Sequence, residues 1–281
     1  SLHKFVLLLV LIVVFLLLPD SPGTAKFLTE SEQTEAVERL QTIDQTAKNR
    51  MQWSQVLGGL KDYKNWVHMC IHFCCNYSLA GLSNFLPTII KGLGYDSVTA
   101  QGLTAPPFFA SFLCCVTAAI MSDKWGNRGF VVTFFGLMGM AGYLILVNVQ
   151  DPLNTGARYA GIWLATCGIF PALTINITWM LNNQGGESKK GAGLAILAIF
   201  GQCSSFVSSS VFPNADEPLF IRGCAIGCAF SGMIAVLAMS LHTTLSLENR
   251  RRDRLYGPVD EQMRVDVTEG GDKNPNFRYL T

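Results

Sequence analysis

The sequence predicts an all-α membrane protein, and three observations carry that prediction. Six apolar segments, approximately 66–90, 101–121, 130–149, 159–182, 191–212 and 223–246, contain no Asp, Glu, Lys or Arg. Each matches the ~20 residues an α-helix needs to cross a bilayer, and a charge at a helix centre costs roughly 2.5–3.5 kcal/mol on insertion. Composition agrees: 49% of residues are hydrophobic and 15% charged, with a positive mean hydropathy, where an average soluble domain is roughly 25% charged. The intervening turns also alternate in basicity. Lys124 and Arg128 fall in the second turn, Lys189 and Lys190 in the fourth, and Arg250, Arg251, Arg252 and Arg254 follow the last segment. By the positive-inside rule these lie in the cytoplasm.

The chain opens on an apolar run, residues 5–18, that is short for a span. One reading is a signal peptide, with Lys4 before the apolar region and Gly23-Thr24-Ala25 as the cleavage site; the other is the end of a transmembrane helix. A signal peptide would put residues 19–62 and every basic turn outside, so the alternation selects a partial transmembrane helix over 1–18. Residues 19–62 then form a cytoplasmic linker. Within it Thr29-Glu-Ser-Glu32 is a capping box followed by Ala36, Val37, Leu40 and Ile43 at helical spacing. Trp53, Val56, Leu57 and Leu60 mark a second amphipathic piece suited to the membrane interface. The six-helix region is expected over 63–247 and a cytoplasmic tail over 248–281. Seven spans with an external start also describe a seven-helix receptor. That reading fails on a linker of this length and on the lack of an Asp-Arg-Tyr-like or Asn-Pro-x-x-Tyr motif.

The turn Met121-Ser-Asp-Lys-Trp-Gly-Asn-Arg128 resembles the Gly-x-x-x-Asp-Arg-x-Gly-Arg-Arg/Lys signature of the major facilitator superfamily. Asp123, Lys124, Gly126 and Arg128 carry the match, with Ala119 at the leading Gly, Lys124 for Arg and Asn127 for a basic residue. Further stretches resemble one branch, the fungal anion:cation symporters that include allantoate and nicotinic acid permeases. They are Leu18-Pro-Asp-Ser-Pro22 with Ala25-Lys-Phe-Leu-Thr-Glu30, Leu82 to Tyr95, Ala100 to Pro107, Asn182-Asn183 with Gly186 and Ser188-Lys-Lys190, Asp216 to Phe220, and Leu247 to Asp253. Departures include Gly102, Gln202, Gly185 and Glu187. The resemblance implies the carboxy-terminal six-helix bundle of the major facilitator fold, helices seven to twelve, preceded by part of helix six. It implies two triplets of inverted topology, with the amino-terminal half missing from this chain and supplied in cis or in trans. The implied function is secondary transport, by alternating access and coupled to protons, of a small organic anion such as nicotinate or allantoate, at the plasma membrane. A half-transporter acting as scaffold or regulator is the alternative.

Polar residues in a bilayer need partners, so their positions map a site. On the seventh helix His68, His72 and Asn76 follow at four-residue spacing and Asn84 continues near that face. On the tenth, Thr174 and Thr178 share a face with Asn176 and Trp179 beside it. The resemblance makes helices seven and ten cavity helices, so His72, Asn76, Asn84, Thr174, Asn176 and Trp179 are the substrate-facing candidates. The bland alternative is that these groups tie neighbouring helices. His68 and His72 with Cys75 have a spacing seen in metal pairs, but no carboxylate lies between them, and no metal or other cofactor is expected; a histidine here could instead carry a proton. Asp123, Lys124, Gly126 and Arg128 are read as a cytoplasmic gate, with Asp123 against the amino end of helix eleven near Gly191. Gly201, Ser205 and Ser208 make helix eleven a close-packing surface, with a helix of the other half as the expected partner. No nucleophile flanked by a base and no phosphate-cradling loop supports an enzyme. A net charge of +1 gives no field for nucleic acid. The nine cysteines lie in apolar segments, which argues against a disulfide framework.

Overall fold

The computed structural model describes residues 25, 28–35, 51–92, 94–151, 154–211, 219–257 and 271–281. The expected partial helix over 1–18, most of the 19–62 linker and residues 258–270 of the tail lie outside them. The chain divides into two units, Ser1–Met51 and Gln52–Thr281.

In the first unit residues 30–35 are helical. The Glu32 carboxylate accepts from the Thr29 amide at 2.9 Å and from its hydroxyl at 2.8 Å, one arm of the predicted capping box. These bonds hold the Glu32 carboxyl below its ordinary range.

The second unit is built from helices α1 (Trp53–Lys61), α2 (Tyr63–Lys91), α3 (Ser97–Gly102), α4 (Ala105–Trp125), α5 (Arg128–Asn148), α6 (Thr155–Asn182), α7 (Glu187–Val211) and α8 (Ile221–Tyr256). The six long ones fall on the six predicted segments. Their ends differ for local reasons. Residues 101 and 102 belong to the short α3, which Asp96 caps by accepting from the Val98 and Thr99 amides; α4 starts three residues further on, with a proline in its first turn. α8 overruns its apolar segment into the arginine-rich stretch, where Glu248 pairs with Arg252 one turn on. Among the described residues, five spans are long and apolar enough to cross a membrane, with α3 and α4 counted as one. α2 is 29 residues long but not among them, because Asn65, His68, His72, Asn76 and Asn84 dilute its apolar surface.

Pairing of the helices is symmetric. α4 packs on α6 as α7 packs on α2, α5 packs on α6 as α8 packs on α2, and α2 with α6 and α5 with α8 close the set. Exchanging α2–α4–α5 for α6–α7–α8 leaves this scheme unchanged, as two related triplets require. The tightest seam lies between α5 and α6. A Cβ on Gly142 would overlap the backbone of Ala165, and one on Gly168 the backbone of Gly139. Only glycine allows that approach, and close backbone contact is what holds helices together in lipid. α1 packs its buried Gly59 against Lys189 and Ala192 of α7 and leaves Trp53, Leu57 and Leu60 exposed, the apolar face expected of an interfacial helix.

Candidate functional site

At the centre of the α2–α6 contact, His68 and Asn176 are both buried and join by two bonds. His68 Nδ1 lies 2.8 Å from Asn176 Oδ1, and Asn176 Nδ2 donates to the His68 carbonyl at 3.1 Å. The second bond fixes the amide, so Nδ1 carries the proton and Nε2 is an acceptor with no hydrogen-bond partner among the described residues. One turn on, His72 is buried and its Nδ1 is likewise unpaired; Asn76 follows with an unpaired Nδ2. Both lie against Gly201 of α7, where a Cβ would meet His72 Cδ2 at 2.5 Å and Asn76 Nδ2 at 3.1 Å. Three buried atoms with hydrogen-bonding capacity to spare thus run along α2 beneath α6 and α7.

The six predicted substrate residues separate into four groups. Asn176 is in the buried pair, and His72 and Asn76 are in the column under α7. Asn84 and Thr174 are exposed, the Thr174 hydroxyl donating to the Phe170 carbonyl at 3.0 Å. Trp179 is fully buried, its ring edge-on to His68 at a centroid distance of 4.9 Å and its indole N–H donating to the Leu280 carbonyl at 2.7 Å.

In the turn between α4 and α5 the Arg128 guanidinium is buried and donates to the exposed Asp123 carboxylate at 2.8 Å. With its amide oxygen turned inward, Asn182 accepts from both terminal nitrogens of Arg128 at 2.8 and 2.9 Å. Asp123 was expected beside Gly191 at the start of α7; its hydrogen-bonded partner is Arg128, five residues away and within reach of a short turn. Gly126 has φ of +66° and ends α4 with its amide on the Ser122 carbonyl, which explains a glycine there. Lys124 is exposed at the same helix end.

The small residues of α7 find partners inside this half. Gly193 faces Met180 and Asn65, Gly201 faces His72 and Asn76, and Ser208 is buried; Ser205 is half-buried. Within this half, the face carrying Gly193 and Gly201 is filled by α2 and by Met180 of α6.

A cluster the sequence reading missed lies at the end bearing the basic turns. Lys64 Nζ lies 2.9 Å from Asp62 and 3.0 Å from Asp272, and Lys189 Nζ lies 2.7 Å from each, a closed ring of alternating buried charges. Burial pushes both carboxyls up, but the two lysines outweigh it and hold Asp62 and Asp272 below the ordinary value. Burial works against the Lys64 ammonium, and the aspartates outweigh it in turn, leaving Lys64 above its usual range. Asp62 was legible as a helix cap, since it accepts from the Lys64 amide; nothing local marks Asp272.

Comparison with known proteins gives a match to the family model described as Major Facilitator Superfamily over residues 4–209. An uncharacterized transporter of Schizosaccharomyces pombe is 28% identical over 89% of this chain and 51% of its own length. The high-affinity nicotinic acid transporter of Saccharomyces cerevisiae is 27% identical over 90% of this chain and 48% of its own. The major facilitator-type transporter hxnP of Emericella nidulans is 25% identical over 97% and 56%. The chain spans about half the length of the curated relatives it matches.

Proposed function

Because this chain belongs to the Major Facilitator Superfamily, we propose that it supplies the carboxy-terminal half of a secondary transporter that moves a small organic anion such as nicotinate or allantoate. Transport proceeds by alternating access, coupled to protons, at the plasma membrane, together with an amino-terminal six-helix half in cis or in trans. The observation that supports this reading is the column of His68, His72 and Asn76, whose unpaired buried atoms suit groups that meet a polar solute or a proton during a cycle. A nicotinic acid transporter among the relatives motivates the choice of probe.

The column offers neutral donors and acceptors. The buried Arg158 at the far end is engaged by the carbonyls of Leu146, Val149 and Leu219. A carboxylate needs a cation or several donors, so the principal anion-binding cation is assigned to the other half. Nicotinate uptake into proteoliposomes tests this. Residues 1–281 alone are expected to give none, and adding the amino-terminal half of the yeast relative to give proton-dependent uptake that Asn76→Ala or Asn176→Ala weakens about tenfold or more, as loss of one or two buried hydrogen bonds predicts. Saturable, gradient-driven uptake by the chain alone, or uptake indifferent to both substitutions, would overturn the reading.

A further inference from the structure

Residues 271–281 fold back across the end of the bundle that carries the basic turns, and they are held there by groups that recognise a peptide backbone. Asn249 of α8 donates to the Tyr279 carbonyl at 2.7 Å and accepts from its amide at 2.9 Å. Asn183, at the end of α6, does the same for Leu280 at 2.8 and 2.8 Å. Two asparagines thus each pair with both polar groups of one tail residue. The Tyr279 ring lies between the Lys64 ammonium and the Arg252 guanidinium, each 4.8 Å from its centroid. Arg252 also donates to the Asp272, Asn274 and Phe277 carbonyls. Asp272 completes the ring of charges with Asp62, Lys64 and Lys189. Gly185 adjoins the tail so closely that a Cβ there would overlap the backbone of Gly271 and Asp272. Gly185 is one of the positions where the sequence departs from the family it resembles, and the docked tail gives that departure a physical reason.

The tail also reaches the polar column. The buried indole N–H of Trp179 finds its acceptor in the Leu280 carbonyl, and the same ring stands edge-on to His68. The docked tail therefore holds the side chain that stands edge-on to His68. We propose that this end is a peptide-recognition site occupied in cis by residues 271–281, and that the docked tail is a plug holding Trp179 over the His68–Asn176 pair. Release of the tail frees Trp179 and opens the pair to water from the side that the basic turns assign to the cytoplasm. The plug deepens the transporter reading and rests on it for its purpose, but docking and access to His68 can be measured without transport.

The test uses the full chain, residues 1–281, in nanodiscs. Hydrogen exchange reports the amides of Tyr279 and Leu280, and modification by diethyl pyrocarbonate, resolved by peptide mass spectrometry, reports His68. In the unsubstituted chain both amides are expected to be protected and His68 unreactive. Gly185→Ala, which displaces the tail by bulk, and Asp272→Asn, which opens the ring of charges, are each expected to lower tail protection and raise His68 modification at least tenfold, with exchange in the α5–α6 seam unchanged. Should either variant also loosen that seam, Asn249→Ala, which removes only the two Tyr279 bonds, decides by the same readouts. Freely exchanging tail amides in the unsubstituted chain would overturn the docking, and a released tail with His68 still unreactive would overturn the plug. A failed uptake experiment changes neither readout.

Discussion

Asn176 satisfies His68 twice, and both bonds lie where no water competes. Replacing it with alanine leaves the buried Nδ1 proton unpaired at a cost of about 1–3 kcal/mol. Asn176→Ala is therefore expected to lower the thermal midpoint of the detergent-solubilised protein. Combining His68→Phe with Asn176→Leu should cost less than the two single changes together, because neither partner is then left alone; strictly additive losses in that cycle would show the pair is not coupled. At the α4–α5 turn the balance differs, since the Asp123 carboxylate is 70% exposed. Exposed pairs contribute about 0–1 kcal/mol, so Asp123→Asn is expected to leave the midpoint nearly unchanged. In a complete transporter it should still shift state-dependent cysteine labelling; unchanged labelling would reduce the residue to a topology signal. His72 and Asn76 were legible as one face from their spacing. That Asn84 and Thr174 lie away from the column was not, because spacing places residues on a helix face and leaves open which neighbour covers it.

Among the elements, the α5–α6 seam separates helical glycines that are required from those that are free. Overpacking a core costs about 1–3 kcal/mol where side chains can yield. Here the obstruction at Gly142 and Gly168 is backbone, so the loss should exceed that range. Gly168→Val is expected to abolish a monodisperse peak in fluorescence-detected size-exclusion chromatography. Gly191→Ala meets nothing within 4 Å and should leave the peak intact or improve it, since a helical glycine costs about 0.5–1 kcal/mol relative to alanine. Equal behaviour of the two variants would contradict the seam. Gly136, Gly139 and Gly142 recur every three residues, a signal of close helix approach present in the sequence. Helix eleven, with its glycines and serines, is a second small-residue surface, and composition alone does not say which of the two meets backbone and which meets side chains.

For the whole molecule, the ring of Asp62, Lys64, Asp272 and Lys189 sets how the tail responds to pH, with Tyr63, Tyr279 and Arg252 among the titratable or charged groups around it. The aspartates sit below the ordinary 3.8 in the folded chain, so their contribution is full above that value and is lost as pH falls through their folded values. Lys64 sits above the ordinary 10.5, so its contribution is full below that value and is lost only as pH rises beyond it. Tail protection, corrected for intrinsic exchange, should therefore stay level between about pH 5 and 9 and fall under acid; a steady decline across neutral pH would exclude the ring as its support. Removing one member leaves a buried charge uncompensated at a cost of about 3–5 kcal/mol, so Lys189→Ala should release the tail more completely than Asp123→Asn disturbs its turn. The sequence by itself determined that the chain is helical and where its six long apolar helices fall, because a bilayer acts on each segment separately and leaves its mark in local composition. It also carried the family, through short turns such as Asp123 to Arg128 whose chemistry is local. Only the tertiary structure decided that His68 pairs with Asn176, that Gly201 of α7 meets His72 and Asn76 of α2, and that Asp272 returns across 208 residues to Lys64. Those contacts join residues far apart in the chain, and their partners are chosen by how whole helices pack, which no single segment records.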